Sequence, residues 1–227
     1  SITLPESLTN IGENAFSYCS NLASISIPKN VTTIGYYAFG NCTGELIVNC
    51  NIPSATSSSD GAFYGSDFSR VIIGEDVTTI GSNAFYNSDK LTTVFLSEDV
   101  TSIGEGAFYG CNNLYTVINR SSLALSVGSS DNGYVAYYAG QVLQGDNFET
   151  LGDFLFSDGT LVAYLGNDTT IELPKHYNNG NYDIGPRVFY NYTNLTSITI
   201  PEKVTSIGDY AFYGCNKLNS VIIPEGV

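Results

Sequence analysis

Val204 to Pro224 reads VTSIGDYAFYGCNKLNSVIIP, and the same phrase recurs along the chain. Its anchor, Ile-Gly-x-x-Ala-Phe, stands at Ile11 to Phe16, Ile34 to Phe39, Ile80 to Phe85, Ile103 to Phe108 and Ile207 to Phe212. Degenerate copies end at Phe63 and Phe189. Successive anchor phenylalanines lie 23, 24, 22, 23, 81 and 23 positions apart. A constant period in this range marks a repeat architecture, in which each unit buries its apolar face only against its neighbours.

Downstream of each anchor runs Leu-x-x-Val/Ile-x-Ile/Leu, usually ended by proline. The copies are Leu22, Ile25, Ile27, Pro28; Leu91, Val94, Leu96; Leu114, Val117; Leu195, Ile198, Ile200, Pro201; and Leu218, Val221, Ile223, Pro224. Two copies slip by one residue, as Leu46, Val48, Cys50 and Phe68, Val71, Ile73. Alternation with period two places such residues on one face of a strand. One short strand per repeat at constant register builds a parallel sheet with about 4.8 Å between neighbours. Proline removes an N–H and ends the pairing. The return limb, Val-Thr-x-Ile-Gly-x-x-Ala-Phe, has room for one or two turns of helix or 3-10 structure. Its glycines, Gly12, Gly35, Gly81, Gly104, Gly185 and Gly208, read as residues that permit a tight bend.

The 81-residue gap between Phe108 and Phe189 interrupts the pattern. Gly133 to Leu143 places Val135, Tyr138, Ala139 and Val142 on one helical face, and Gln144 to Asn147 reads as a turn. Asp153 to Leu165 alternates on both sides of Ser157-Asp-Gly159, a hairpin signal. Solenoid ends need caps. The expected organisation is therefore two arrays. Residues 1–145 form the first, capped by 115–145, and residues 146–227 form a hairpin-capped second array truncated at its C-terminal end. One continuous solenoid with a decorated middle is the alternative. The chain lacks Met, opens on SITLPES and stops at PEGV, as expected of a segment cut from a longer array.

The repeat P-E-x-V-T-x-I-G-x-x-A-F-Y-x-C-x-x-L-x-x-V-x-I-P resembles the BspA-like class of leucine-rich repeats over 1–119 and 170–227. The resemblance implies a strand-dominated, horseshoe-like leucine-rich-repeat solenoid with short helical or 3-10 return turns. It further implies an extracellular or cell-surface protein, commonly of host-associated bacteria, that adheres to matrix proteins or other cells. The repeat consensus consists of scaffold residues and transfers no catalytic or ligand-binding residue.

Charge restricts the partners. Eight Lys+Arg stand against 22 Asp+Glu, a net charge of −14. Phosphate recognition needs clustered cations, so nucleic acid and anionic membranes fit poorly. No apolar run reaches the length of a membrane span, and no signal peptide is visible. Four of the five cysteines, Cys19, Cys42, Cys111 and Cys215, follow an anchor Phe by three residues, where Ser66, Ser88 and Tyr192 stand in other repeats. Buried thiols are expected there, with a Cys19–Cys42 disulfide between neighbouring coils as the alternative. Cys50 is expected in a strand, at the position of Ile27.

The catalytic inventory is thin, and a non-enzymatic protein is expected. His176 is the single histidine and has no nucleophile elbow beside it. No cofactor motif is present, nor any metal-ligand spacing. Glu75-Asp76 and Glu98-Asp99 occupy equivalent slots and read as a solvated acidic face, with adventitious Ca²⁺ as the alternative. Six N-x-Ser/Thr sequons, at Asn30, Asn41, Asn119, Asn167, Asn191 and Asn194, read as by-products of a Thr/Asn-rich repeat.

The informative positions are those the repeat leaves free. Ser26, Asn49, Ile72, Phe95 and Ile118 are expected to form one outward row of the sheet. Ser24, Ile47, Arg70, Thr93 and Thr116 are expected to form the next. Ile72, Phe95 and Ile118, flanked by Asn49, Arg70 and Thr93, would then present an apolar strip suited to a protein or matrix partner. A tyrosine follows five anchors, at Tyr64, Tyr86, Tyr109, Tyr190 and Tyr213. This ladder reads first as packing and second as a surface for glycans. Adhesion or protein recognition is the leading functional reading. The alternatives are a passive spacer and a glycan-binding module.

Overall fold

The computed structural model describes residues 2–145, 148–166 and 168–227. Two compact units emerge, Ser1–Gly145 and Asp146–Val227. Both are built almost wholly of short strands and turns. The single 3-10 segment among the described residues is Asn132–Tyr134.

In the first unit, seven parallel strands form one sheet in chain order. They are Ile2–Thr3, Ser24–Ile27, Thr43–Val48, Asp67–Ile73, Thr93–Leu96, Thr116–Asn119 and Gln141–Gln144. The inward row is Ile25, Leu46, Val71, Val94, Val117 and Val142, paired in that register. All but Val142 are buried, as alternation requires. The return limb gives a second inner wall of Val31, Ile34, Val77, Ile80, Val100 and Ile103, all buried.

Between these walls the anchor rings stack. Phe16, Phe39, Phe63, Phe85 and Phe108 have successive centroid distances of 5.2, 5.3, 4.7 and 5.1 Å, with planes within 20° of parallel. In most of the turns that carry these rings a helix is interrupted by positive φ at the residue before the anchor Ala, as at Asn14, Tyr37, Asn83 and Gly106. The turns instead bond from coil to coil. Phe16 N donates to Ala38 O at 2.8 Å and Phe85 N to Ala107 O at 2.7 Å.

The slot three residues after the anchor selects for more than size. Cys42 Sγ donates to Phe16 O, Ser88 Oγ to Phe63 O, Cys111 Sγ to Phe85 O and Cys215 Sγ to Phe189 O, at 2.8, 2.9, 3.3 and 3.1 Å. Each of these four reaches the anchor carbonyl of the preceding coil, so the small residues in this slot supply a donor hydrogen as well as filling space, whereas Tyr192 in the same slot donates to Gly166 O and Asp168 O. All five cysteines are free thiols.

The structure departs from the sequence pattern at three places. In the third copy Val48, not Cys50, pairs with Ile27, and a register shift at Gly44/Glu45 then falls between this strand and Asp67–Ile73. Cys50 lies beyond the strand. The segment after Gly133 is no helix; it turns back and ends as the Gln141–Gln144 strand, where Val142 pairs with Val117. Residues 115–145 thus supply a regular strand and one further coil, whose Val135, Ala136 and Ala139 join the core. The departure starts at Asn119, which replaces the apolar inward residue and is fully buried. Its amide donates to Leu123 O and Gln144 Oε1 at 2.9 and 2.8 Å, and its Oδ1 accepts from Ser121 N and Oγ. Those bonds satisfy a polar group that would otherwise be costly to bury.

The third departure concerns the anchor glycines. A Cβ on Gly35 would lie 2.5 Å from Glu13 N, and one on Gly104 would lie 2.4 Å from Ser82 N. Neither residue has positive φ. The glycine is needed because adjacent coils approach closely at this point, not because the chain bends.

In the second unit, Phe154–Ser157 and Thr160–Tyr164 form an antiparallel hairpin through Asp158 and Gly159, both at positive φ as a type I′ turn requires. The hairpin strand Thr160–Tyr164 then pairs in parallel with Tyr182–Ile184, which pairs with Val204–Ile207. It thereby takes the place of a return strand. Thr170–Glu172, Ser197–Thr199 and Val221–Ile222 form a separate parallel ladder. Phe189 and Phe212 stack at 5.2 Å, and Tyr164 packs on Phe189 at 5.7 Å. Burial pushes the Tyr164 hydroxyl up to about 12. The long 175–181 connection is tied down by Tyr182, whose hydroxyl donates to Pro174 O at 2.7 Å.

Candidate functional site

The first candidate surface is the outward face of the seven-stranded sheet. Its central row is Ser26, Ile47, Ile72, Phe95, Ile118 and Leu143. The register of Thr43–Val48 on Ser24–Ile27 puts Ile47, not Asn49, beside Ser26. Asn49 instead follows the strand end, where its amide donates to Ser26 Oγ and Ile27 O, each at 3.2 Å. Ile47, Ile72, Phe95 and Leu143 are half-buried, whereas Ile118 is fully buried and offers no surface. The guanidinium of Arg120 lies 5.6 Å from the centre of the Phe95 ring, a cation–π contact. The strip that remains accessible is therefore Ile47, Ile72 and Phe95, with Leu143 at its far end.

The adjacent outward row is Ser24, Glu45, Arg70, Thr93, Thr116 and Gln141. Arg70 was expected as a ligand contact, but it is only 7% exposed. Its Nε donates to Glu45 Oε2 at 2.9 Å and its Nη2 to the same oxygen. Glu45 is itself buried. Such a pair holds its two partners against each other rather than against a ligand. Thr93 is half-buried, and Thr116 is buried and accepts from Gln141 Nε2 at 2.9 Å.

The tyrosine ladder runs along the turn edge of each unit. Tyr64–Tyr86 and Tyr86–Tyr109 stack at 6.2 and 5.0 Å in the first unit, and Tyr190–Tyr213 at 5.1 Å in the second. Tyr37 joins below Tyr64 at 6.0 Å, and Tyr134 closes the far end edge-on to Tyr109 at 5.1 Å. Sequence reasoning missed Tyr37 and Tyr134, because neither follows an anchor phenylalanine. Arg187 lies over Tyr190 at 5.2 Å and over Tyr210 at 5.6 Å.

The remaining candidates do not assemble chemistry. Asp76 N donates to Asp99 Oδ2 at 2.9 Å, so the equivalent acidic slots touch. Among the described residues, however, no group of three or more His, Cys, Asp or Glu side chains is placed to hold a metal. His176 is exposed beside Tyr177, whose hydroxyl donates to Glu149 Oε2 at 2.6 Å. That hydrogen bond is the main cause of the raised Tyr177 pKa. Of the sequons, Asn119 is buried and Asn167 lies outside the described residues.

The model of the BspA type leucine-rich repeat region matches six copies over residues 1–115 and 182–227. The chain belongs to this family. Among solved structures, this BspA-type chain is similar to the pneumococcal vaccine antigen PcpA, at 20% identity and a TM-score of 0.46. That match covers 99% of this chain and 60% of PcpA. A leucine-rich repeat protein from Eubacterium ventriosum is 24% identical, with a TM-score of 0.39 and coverage of 99% and 54%. A leucine rich cell surface protein from Faecalibacterium prausnitzii is 18% identical, with a TM-score of 0.34 and coverage of 98% and 69%. The chain thus spans little more than half the length of the first two. No curated protein matches significantly. Among the described residues, no helix is long and apolar enough to cross a membrane.

Proposed function

We propose that this BspA-type array is a non-enzymatic recognition module displayed outside the cell, which binds an extracellular protein or matrix component through the outward face of its seven-stranded sheet. The observation that carries the reading is the in-register row Ile47, Ile72 and Phe95, half-exposed across three adjacent strands. A parallel sheet edge-to-edge with its neighbours has no need of three large apolar side chains on its solvent face, and contiguous apolar surface of this kind marks contact sites. The acidic balance, −14 overall, favours a partner with a neutral or basic surface.

The test is binding of immobilised fibronectin, laminin and collagen to the chain and to Ile72→Asp/Phe95→Asp. Loss of binding by the variant, with its far-UV circular dichroism melt retained, supports the strip. Equal binding by both proteins removes it. Absence of binding to all three matrix proteins would favour a spacer.

A further inference from the structure

The turn edge of the first unit carries a second concavity, separate from the sheet face. It is a groove of about 550 Å³ that crosses four successive coils. One wall is the tyrosine ladder, Tyr86 and Tyr109, closed at one end by Tyr134 set at 82° to Tyr109. Tyr109 is 41% exposed. The floor is Gly106 at φ +65°, where a Cβ would lie 2.6 Å from Asn83 Oδ1.

The opposite wall is the 54–60 loop, and it is held in place before any ligand arrives. Ala55 N donates to Ser82 O at 2.9 Å and Ser82 N to Ser54 Oγ at 3.1 Å. Thr56 Oγ1 donates to Asp60 Oδ2 at 2.9 Å, and Ser59 Oγ to Asp60 Oδ1 at 3.4 Å. These bonds, that of Thr56 foremost, hold the Asp60 carboxyl below its usual range. A wall fixed in this way loses little entropy on binding.

The lining selects a ligand class. It offers phenol, serine and threonine hydroxyls, the Asn83 amide and one carboxylate, Glu105, and it contains no Lys, Arg or His. Phosphate, sulfate and sialylated ligands would meet an uncompensated carboxylate. An apolar peptide side chain would find no aliphatic pocket, since Ala55 is the only aliphatic residue in the lining. A neutral sugar fits both features. Its hydroxyls donate and accept to Asn83, Glu105 and Ser57, and its C–H face lies against tyrosine. The ladder repeats its rings every 5.0 to 6.2 Å along the stack, so a linear ligand laid across the coils meets equivalent groups in succession.

We propose that this groove binds a neutral oligosaccharide, with Tyr109 and Tyr134 as the stacking surface and Asn83 and Glu105 as the hydrogen-bonding groups. The proposal is independent of the sheet-face reading. The test is an array of neutral, sulfated and sialylated oligosaccharides, followed by ¹H–¹⁵N titration of the full chain with the best neutral binder. The expected result is binding of a neutral oligosaccharide that shifts the amides of Asn83, Glu105, Gly106 and Tyr109. Tyr109→Ala and Tyr134→Ala should each weaken it about tenfold. Glu105 is exposed, so Glu105→Gln leaves the fold intact whatever the tyrosine variants do. It should raise affinity for sialylated oligosaccharides relative to neutral ones. Four results would overturn the proposal. These are an array with no neutral binder, preferential capture of sulfated or sialylated ligands by the unsubstituted chain, shifts confined to other surfaces, and displacement of the sugar's shifts by a collagen peptide that saturates the same amides.

Discussion

Replacing Gly35 by alanine separates two physical roles for the anchor glycine. The new Cβ would lie 2.5 Å from Glu13 N, 2.7 Å from Gly12 C and 2.8 Å from Glu13 Cα, all backbone atoms of the preceding coil. Carbon atoms pack at about 3.5–4.0 Å, so the two coils must part locally by about 1 Å. Two bonds cross the same gap, Gly35 N to Ile11 O at 2.8 Å and Asn14 N to Tyr36 O at 3.0 Å. Losing both costs about 1 kcal/mol each, and keeping them forces a comparable overpacking strain of about 1–3 kcal/mol. Removing glycine from the unfolded chain returns about 0.4–1 kcal/mol. The net loss is about 1–2 kcal/mol, or a urea midpoint lower by about 0.5–1 M at a slope near 2 kcal/mol/M. Gly12 is the control. It has the same place in the repeat, but a Cβ there meets nothing within 4 Å. Gly12→Ala should be neutral or stabilising by about 0.4–1 kcal/mol. Urea titration followed by far-UV circular dichroism, with amide exchange at Gly35 and Tyr37 to localise the effect, measures both variants. Equal losses at Gly12 and Gly35 would show that the glycine serves the bend, and would refute the close-approach argument.

Three further outcomes follow from buried groups. Arg70→Met leaves the Glu45 carboxylate buried without this partner and should cost about 3–5 kcal/mol, while Arg70→Met with Glu45→Leu should recover most of that loss; a double variant as unstable as the single one would show that the pair is not the source of the cost. Burial pushes the Cys42, Cys50 and Cys215 thiols from 9.0 up to about 11, so these thiols should resist a disulfide reagent at pH 8 in the folded chain, where half-buried Cys19 reacts first. A thiol whose folded pKa is raised binds its proton more tightly when folded. Its contribution is therefore present below pH 9 and is lost as pH rises towards 11, which denaturation midpoints across that window would detect.

The scaffold was legible because each repeat is a local sentence. The strand alternation of Leu91, Val94 and Leu96, the phenylalanine spacing, the Asp158-Gly159 turn and the small slot after the anchor all depend on residues close in sequence or one period apart. The candidate strip was legible only in part. Ile72, Phe95 and Thr93 fall in the expected outward rows, but Ile47 stands where Asn49 was expected, Glu45 where Ile47 was expected, and Asn49 lies past the strand end. The register of Thr43–Val48 on Ser24–Ile27 is a property of two strands pairing, and periodicity within one strand cannot display it. The burial of Ile118 and the Arg70–Glu45 pair were hidden for a related reason, since exposure depends on what neighbouring coils place alongside.

From the sequence alone came the period, the parallel stacking, the phenylalanine spine and the acidic surface, since these are consequences of composition and spacing that any packing of the repeat must satisfy. Only the tertiary structure decided which atoms face one another across a coil boundary. It showed that the anchor glycine makes room for a neighbouring backbone and that the cysteine slot donates to the preceding anchor carbonyl. It also brought Tyr86, Tyr109, Tyr134 and the 54–60 loop around one groove. Each is a contact between residues about a period or more apart, with a distance set by the stacking of whole coils, and that distance is fixed only once the chain has closed its turns.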